Sequence, residues 1–129
     1  MKSSIILAIG IGMALSTVGP AQAKDPPGVN STHFQCYRVS QQKPLKPTQV
    51  KLADQFGKWA PKLGNALFLC NPVEKNGEPM KDKVTHLTCY QLPAKNAGKK
   101  VLVTHQLGEQ VLKVGGTMIL CLPSLKKVL

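Results

Sequence analysis

The side chains with the most chemistry in this chain are four cysteines, Cys36, Cys70, Cys89 and Cys121, and three histidines, His33, His86 and His105. Thiols act as nucleophiles, redox couples, metal ligands or cross-links, and spacing separates these roles. The chain has no C-x-x-C pair, which removes a thioredoxin-like redox centre, and no C-x-x-C-H, which removes the usual covalent haem attachment. An even cysteine count in a short exported chain predicts two disulfides, and four cysteines allow three pairings. H-x-x-C occurs at His33/Cys36 and at His86/Cys89, a pattern compatible with zinc or copper. On a strand, however, residues three apart point to opposite faces, so each pair diverges. The metal-binding alternative therefore rests on His33 with His86 across a twofold axis, with His105 as a third ligand. Met80 and Met118 are the only methionines beyond residue 23, which weakens a thioether copper site.

Catalysis finds less support. No G-x-S-x-G elbow occurs, and cysteines committed to disulfides are not nucleophiles. Paired carboxylates need one cleft, yet Asp25 falls in an N-terminal tail and Glu74, Glu78 and Asp82 in a linker. Asp54 and Glu109 remain, at non-equivalent positions of a repeat. No enzyme activity, catalytic residue or cofactor is expected. Binding keeps more weight, because Trp59 stands beside Lys58 and Lys62, an aromatic plate between cations suited to a sugar or an anionic polymer. The net charge of +11 points the same way, toward acidic envelope polymers or another secreted protein as partner. Arg38 is the only arginine, and lysine lacks the planar fork that reads phosphates and bases, so specific nucleic-acid recognition is not expected.

The elements that must carry these residues are written twice. Residues 1–23 read as a signal peptide: Lys2, an apolar run from Ile5, and Ala21-Gln22-Ala23 before the cut. Residues 24–32 form a flexible tail, and 33–129 a single domain with no transmembrane segment. Within it, HFQCYRV at 33–39 returns as HLTCYQL at 86–92. Residues 50–75 return at 101–126, and the copies agree at 12 of 33 aligned positions. The offset falls from 53 to 51, which places a two-residue deletion in the early loop of the second copy. The repeats run 33–77 and 86–129, joined by a linker.

Each copy is rich in β-branched and apolar runs broken by Gly57, Gly64, Gly108 and Gly115-Gly116 and ended by Pro72 and Pro123. Strands are predicted at 33–39, 48–56, 58–63 and 66–71, and at 86–92, 99–107, 109–114 and 117–122. The expected fold is all-β, a small pseudo-twofold sandwich or barrel of about eight short strands. Large core residues are scarce, so disulfides must staple it. A unit that once folded alone favours Cys36–Cys70 with Cys89–Cys121, and a swapped pairing between copies is the alternative. The even charge distribution has the same origin. Residues 24–83 carry ten basic and five acidic side chains, residues 84–129 six and one, so each half nets +5.

The pattern H-x-x-C-Y, then Q-[FL]-G, then L-C-x-P-x-x-K resembles an uncharacterised domain family of secreted bacterial proteins in which the unit occurs in duplicate or tandem. It covers His33, Cys36, Tyr37, Gln55, Gly57, Cys70, Pro72 and Lys75, and again His86, Cys89, Tyr90, Gln106, Gly108, Cys121, Pro123 and Lys126. Asp54 is answered by His105, which argues against a shared charged function there. The resemblance implies a secreted fold and carries no activity.

Overall fold

The structure, a computed structural model, describes residues 24–129, so the expected signal peptide lies outside the described residues. The described chain is all-β, with eight strands: β1 His33–Arg38, β2 Leu52–Asp54, β3 Gly57–Trp59, β4 Ala66–Val73, β5 His86–Gln91, β6 Asn96–His105, β7 Gly108–Gly116 and β8 Ile119–Ser124. All pairings are antiparallel. They form an open four-stranded sheet, β1-β4-β5-β8, and two ribbons, β2-β3 and β6-β7. Because β1 and β8 do not pair with each other, the four strands do not close into a barrel.

Each half is one long hairpin whose root lies in the sheet and whose limb is a ribbon. In the first, pairing runs from His33↔Val73 to Arg38↔Phe68 and is extended by Val39 N–H donating to the Leu67 carbonyl. It resumes where Leu63 N–H meets the Thr48 carbonyl, so nine steps along one side oppose four along the other. Pro44 and Pro47 lie in the excess and cannot donate to a ladder. In the second, pairing passes from Leu92–Met118 through Lys95–Thr117 to Lys99↔Val114, seven steps against four. The second excess is two residues smaller, matching the change of offset between the two sequence patterns.

Both limbs close identically. Asp54↔Gly57 and His105↔Gly108 bracket two-residue turns, and Gly57 and Gly108 have φ of 145° and 124°. A side chain is strained there, which explains why both copies keep glycine.

The copies are not related by the expected pseudo-twofold. Equivalent strands are β1 with β5 and β4 with β8, yet the halves join through β4 and β5, with Cys70↔Leu87 and Phe68↔Cys89. β5 runs in the same direction as β1, so the second hairpin lies beside the first by a shift of two strands. The reason is that a hairpin has two different edges. One reversal after β4 sets the first strand of the next hairpin against the last strand of the previous one.

The disulfides are Cys36–Cys70 and Cys89–Cys121, the favoured pairing. Each crosses directly between neighbouring strands at a non-hydrogen-bonded position, where antiparallel backbones approach most closely, and Cα–Cα distances are 3.9 and 4.0 Å. On the same sheet face Cys70 Sγ touches Cys89 Sγ at 3.8 Å, a packing contact because neither sulfur carries hydrogen. Cys70, Cys89 and Leu92 are the buried hydrophobic core, at 1%, 0% and 8% exposure. The sulfurs occupy the place a larger apolar cluster fills in bigger domains.

Candidate functional site

Trp59 ends β3 and is half-buried where the first limb leans on the second half of the chain. It forms one wall of a half-open cleft of about 430 Å³. Leu52 and Phe56 from the first limb line it with Leu92, Lys95 and Ile119 from the second half. Lys95 extends across the boundary. Its ammonium lies 5.4 Å from the centroid of the Trp59 ring and donates to the Lys58 carbonyl at 2.9 Å. A cation over an indole face is attracted by the ring quadrupole, and the backbone bond fixes where that cation sits. One of three ammonium donors is thereby used, leaving others for a ligand.

The three residues singled out from sequence are arranged differently from a simple clamp. Within β3, strand alternation turns Lys58 away from the face that carries Trp59. Lys58 and Trp59 both border a second, shallower depression with Lys51. Lys62 sits at the bridge to Gln49, outside both concavities. The cation that meets the indole is Lys95, which reading along the chain missed. It lies 36 positions away on the other copy, and only the packing of one hairpin on the other brings it in.

The histidines are kept apart. His86 Nδ1 lies 3.1 Å from Asn71 Oδ1, and His33 Nε2 lies 4.0 Å from Glu78 Oε1. They stand on β1 and β5 with β4 between them, and each ring faces a different partner. His105 is committed at the tip of the second limb, where its Nδ1 accepts the Leu107 N–H at 3.1 Å. Among the described residues no three His, Cys, Asp or Glu side chains converge on a possible metal position. The expected twofold relation between His33 and His86 is not present in the sheet, where β5 follows β1 by a shift of two strands.

Asp54 clarifies His105. Its Oδ1 accepts the Phe56 N–H at 2.8 Å, the same bond two residues ahead that His105 makes in the second turn. Carboxylate and imidazole thus share a backbone task while sharing no charge, and both serve as acceptors in turns of the Asx type.

A polar cluster ties the second limb to the linker. Lys75 donates to Glu78 at 3.0 Å and to Gln106 Oε1, and Gln106 Nε2 donates to Glu78 at 2.6 Å. The Lys75 hydrogen bond, then the Gln106 hydrogen bond, hold the Glu78 carboxyl below its ordinary range, with the charges of Lys75 and His33 adding to this. Asp82 is also lowered, first by the Thr85 hydroxyl and then by the backbone N–H groups of Thr85 and Val84. Both acids are thus held by hydrogen bonds in or next to the linker. Among the described residues no helix is long and apolar enough to cross a membrane.

Compared with protein-family profiles, curated proteins and solved structures, the chain matches none.

Proposed function

We propose that this is an exported, non-catalytic binding domain of the bacterial envelope that takes an acidic polysaccharide in the cleft beside Trp59. The observation that carries the reading is the juxtaposition of the single tryptophan with the Lys95 ammonium at the wall of that cleft. An indole supplies a flat apolar face for a sugar ring, and the fixed ammonium supplies a partner for a sugar carboxylate. The cleft's volume and its largely apolar lining with few polar groups are ordinary for a small-ligand site. The positive net charge attracts such polymers over distances of a Debye length.

Export is supported by the signal-like N-terminus and by two disulfides, which persist in oxidising compartments. The likeness of the repeated pattern to secreted bacterial domains of unassigned activity fits the same compartment.

The test uses the intrinsic fluorescence of Trp59, the only tryptophan, during titration with alginate, a polyuronate. A saturable change in emission that weakens with salt, and that Lys95→Ala removes from the folded protein, is the expected result. Unchanged emission at all alginate concentrations, or a change that Lys95→Ala leaves intact, overturns the reading.

A further inference from the structure

The join between the two hairpins is a contact that the chain leaves open at both ends. β4 offers one edge to β5. The equivalent of β4 is β8 and the equivalent of β5 is β1, and among the described residues neither has a partner on its outer edge. The free edges of the molecule are therefore the two halves of a contact it already makes once internally.

The backbone supports the match in register. In the join, Gly64 N–H donates to the Gln91 carbonyl and Gln91 N–H donates to the Asn65 carbonyl. Odd-numbered residues of β5 thus turn their backbone groups toward β4. Their equivalents in β1 are Phe34, Cys36 and Arg38. Val39 bonds inward to Leu67, so strand alternation turns these three outward. In β8, Met118 bonds inward to Leu92, so Ile119 and Cys121 turn outward. Transferring the internal register pairs Cys121 with Phe34 and Ile119 with Cys36 of another molecule, as Cys70 meets Leu87 and Phe68 meets Cys89. Pro123 does not forbid this, because Pro72 occupies the same place just beyond the last internal pair.

Burial points to the same occupant. Cys70 and Cys89, which face each other across the join, are covered, whereas Cys36 is exposed and Cys121 only half-buried. Tyr37 at 50% and Leu122 at 38% are exposed apolar side chains on the same two edge strands. One position departs from the internal template: Leu122 stands where Asn71 holds His86, so that hydrogen bond has no counterpart.

We propose that the outer edges of β8 and β1 are complementary docking strands through which a second copy of this chain adds head to tail, continuing the sheet by the operation that relates the two hairpins. Such a contact is heterologous and does not close on itself, so it produces an open series and not a single dimer.

Two proline substitutions test it. Arg38→Pro and Ile119→Pro each remove an outward N–H that is unpaired in the single molecule, a position where an edge strand tolerates proline. The wild-type oxidised protein should show a weight-average mass in sedimentation equilibrium that climbs with concentration without a plateau. Each variant alone should remain monomeric. An equimolar mixture should reach a dimer and stop, because the free β8 edge of Arg38→Pro meets the free β1 edge of Ile119→Pro. A monomeric wild type, a single variant that still self-associates, or a mixture that stays monomeric overturns the proposal. Should either variant lose its disulfides or its strand signal, hydrogen exchange of the wild type decides. The amides of Cys36, Arg38, Ile119 and Cys121 should slow as concentration rises, and unchanged rates at these amides overturn it equally.

Discussion

In the first hairpin the limb breaks after Val39, crosses an irregular stretch with two prolines, resumes at Thr48 and Leu63 with the isolated bridge Gln49↔Lys62, and ends in three strand pairs before its turn. In the second, pairing continues almost unbroken from Lys99 to the turn at Gly108. Both have the same root, with a disulfide across it and equivalent cysteines, tyrosine and proline. What the two hairpins share is the root and the turn. Where they differ is the limb between them, and the cleft beside Trp59 lies there. Trp59 belongs to the short limb, and its counterpart Gln110 in the long limb has no such neighbour. The short limb gains its support from the other hairpin through Lys95, whereas the long limb ties its tip to the linker through Gln106.

The sharpest way to break this comparison is to remove the staples one at a time. The loops span 34 and 32 residues, so chain entropy alone predicts nearly equal losses, about 3–4 kcal/mol each. If the limbs matter, Cys36→Ala with Cys70→Ala should lower the thermal midpoint more than Cys89→Ala with Cys121→Ala. The first root has an interrupted ladder above it, whereas the second has a nearly continuous one. Equal midpoints in thermal unfolding would mean that the limbs contribute nothing to holding the roots.

Trp59→Ala comes next. A half-buried aromatic is worth less than the full core value, about 2 kcal/mol here, while Gln110→Ala at the matching exposed position should stay within about 0.5 kcal/mol. Urea unfolding of the two variants measures the asymmetry directly.

The shared turn gives a smaller effect. His105→Ala should cost about 0.5–1.5 kcal/mol, the value of one hydrogen bond, and His105→Asp should recover it because Asp54 already does this work in the first turn. Failure of aspartate to rescue stability would separate two turns that now look alike.

Smallest of all is the solvent-facing tie at Glu78. Its folded pKa is depressed, so its contribution is present above the unfolded carboxylate pKa and is lost as pH falls through the lower folded value. Acidification through that window should lower the exchange protection factors, which correct for the intrinsic pH dependence of exchange, at the Gln106 and Leu107 amides. Glu78→Gln should remove this pH dependence.

Much of the fold was legible before any coordinates. Cysteine spacing within a duplicated unit favoured the correct pairing, glycines at 57 and 108 marked the turns, and the changed offset located the shortened loop. These signals are local, or compare one copy with itself. The direction in which one copy lies on the other is not local. A repeat reads the same whether its partner is related by rotation or by translation, and the expected twofold was wrong for that reason. Lys95 over Trp59 was illegible on the same ground, since it follows from how the hairpins pack. His105 misled differently. Its residue type suggested a ligand, whereas its position two residues before a turn amide made it the stand-in for Asp54.

The disulfides have a further property that lies in their order along the chain. Each joins one cysteine to the next, so the two rings are consecutive and never interleave. A polypeptide emerging from its N-terminus presents Cys36 and Cys70, with the whole first hairpin between them, before Cys89 is available. Pairing cysteines in order of arrival then yields the native set without reshuffling. The first finished hairpin presents β4 as a ready edge on which β5 is laid, so the molecule can be built from one end to the other.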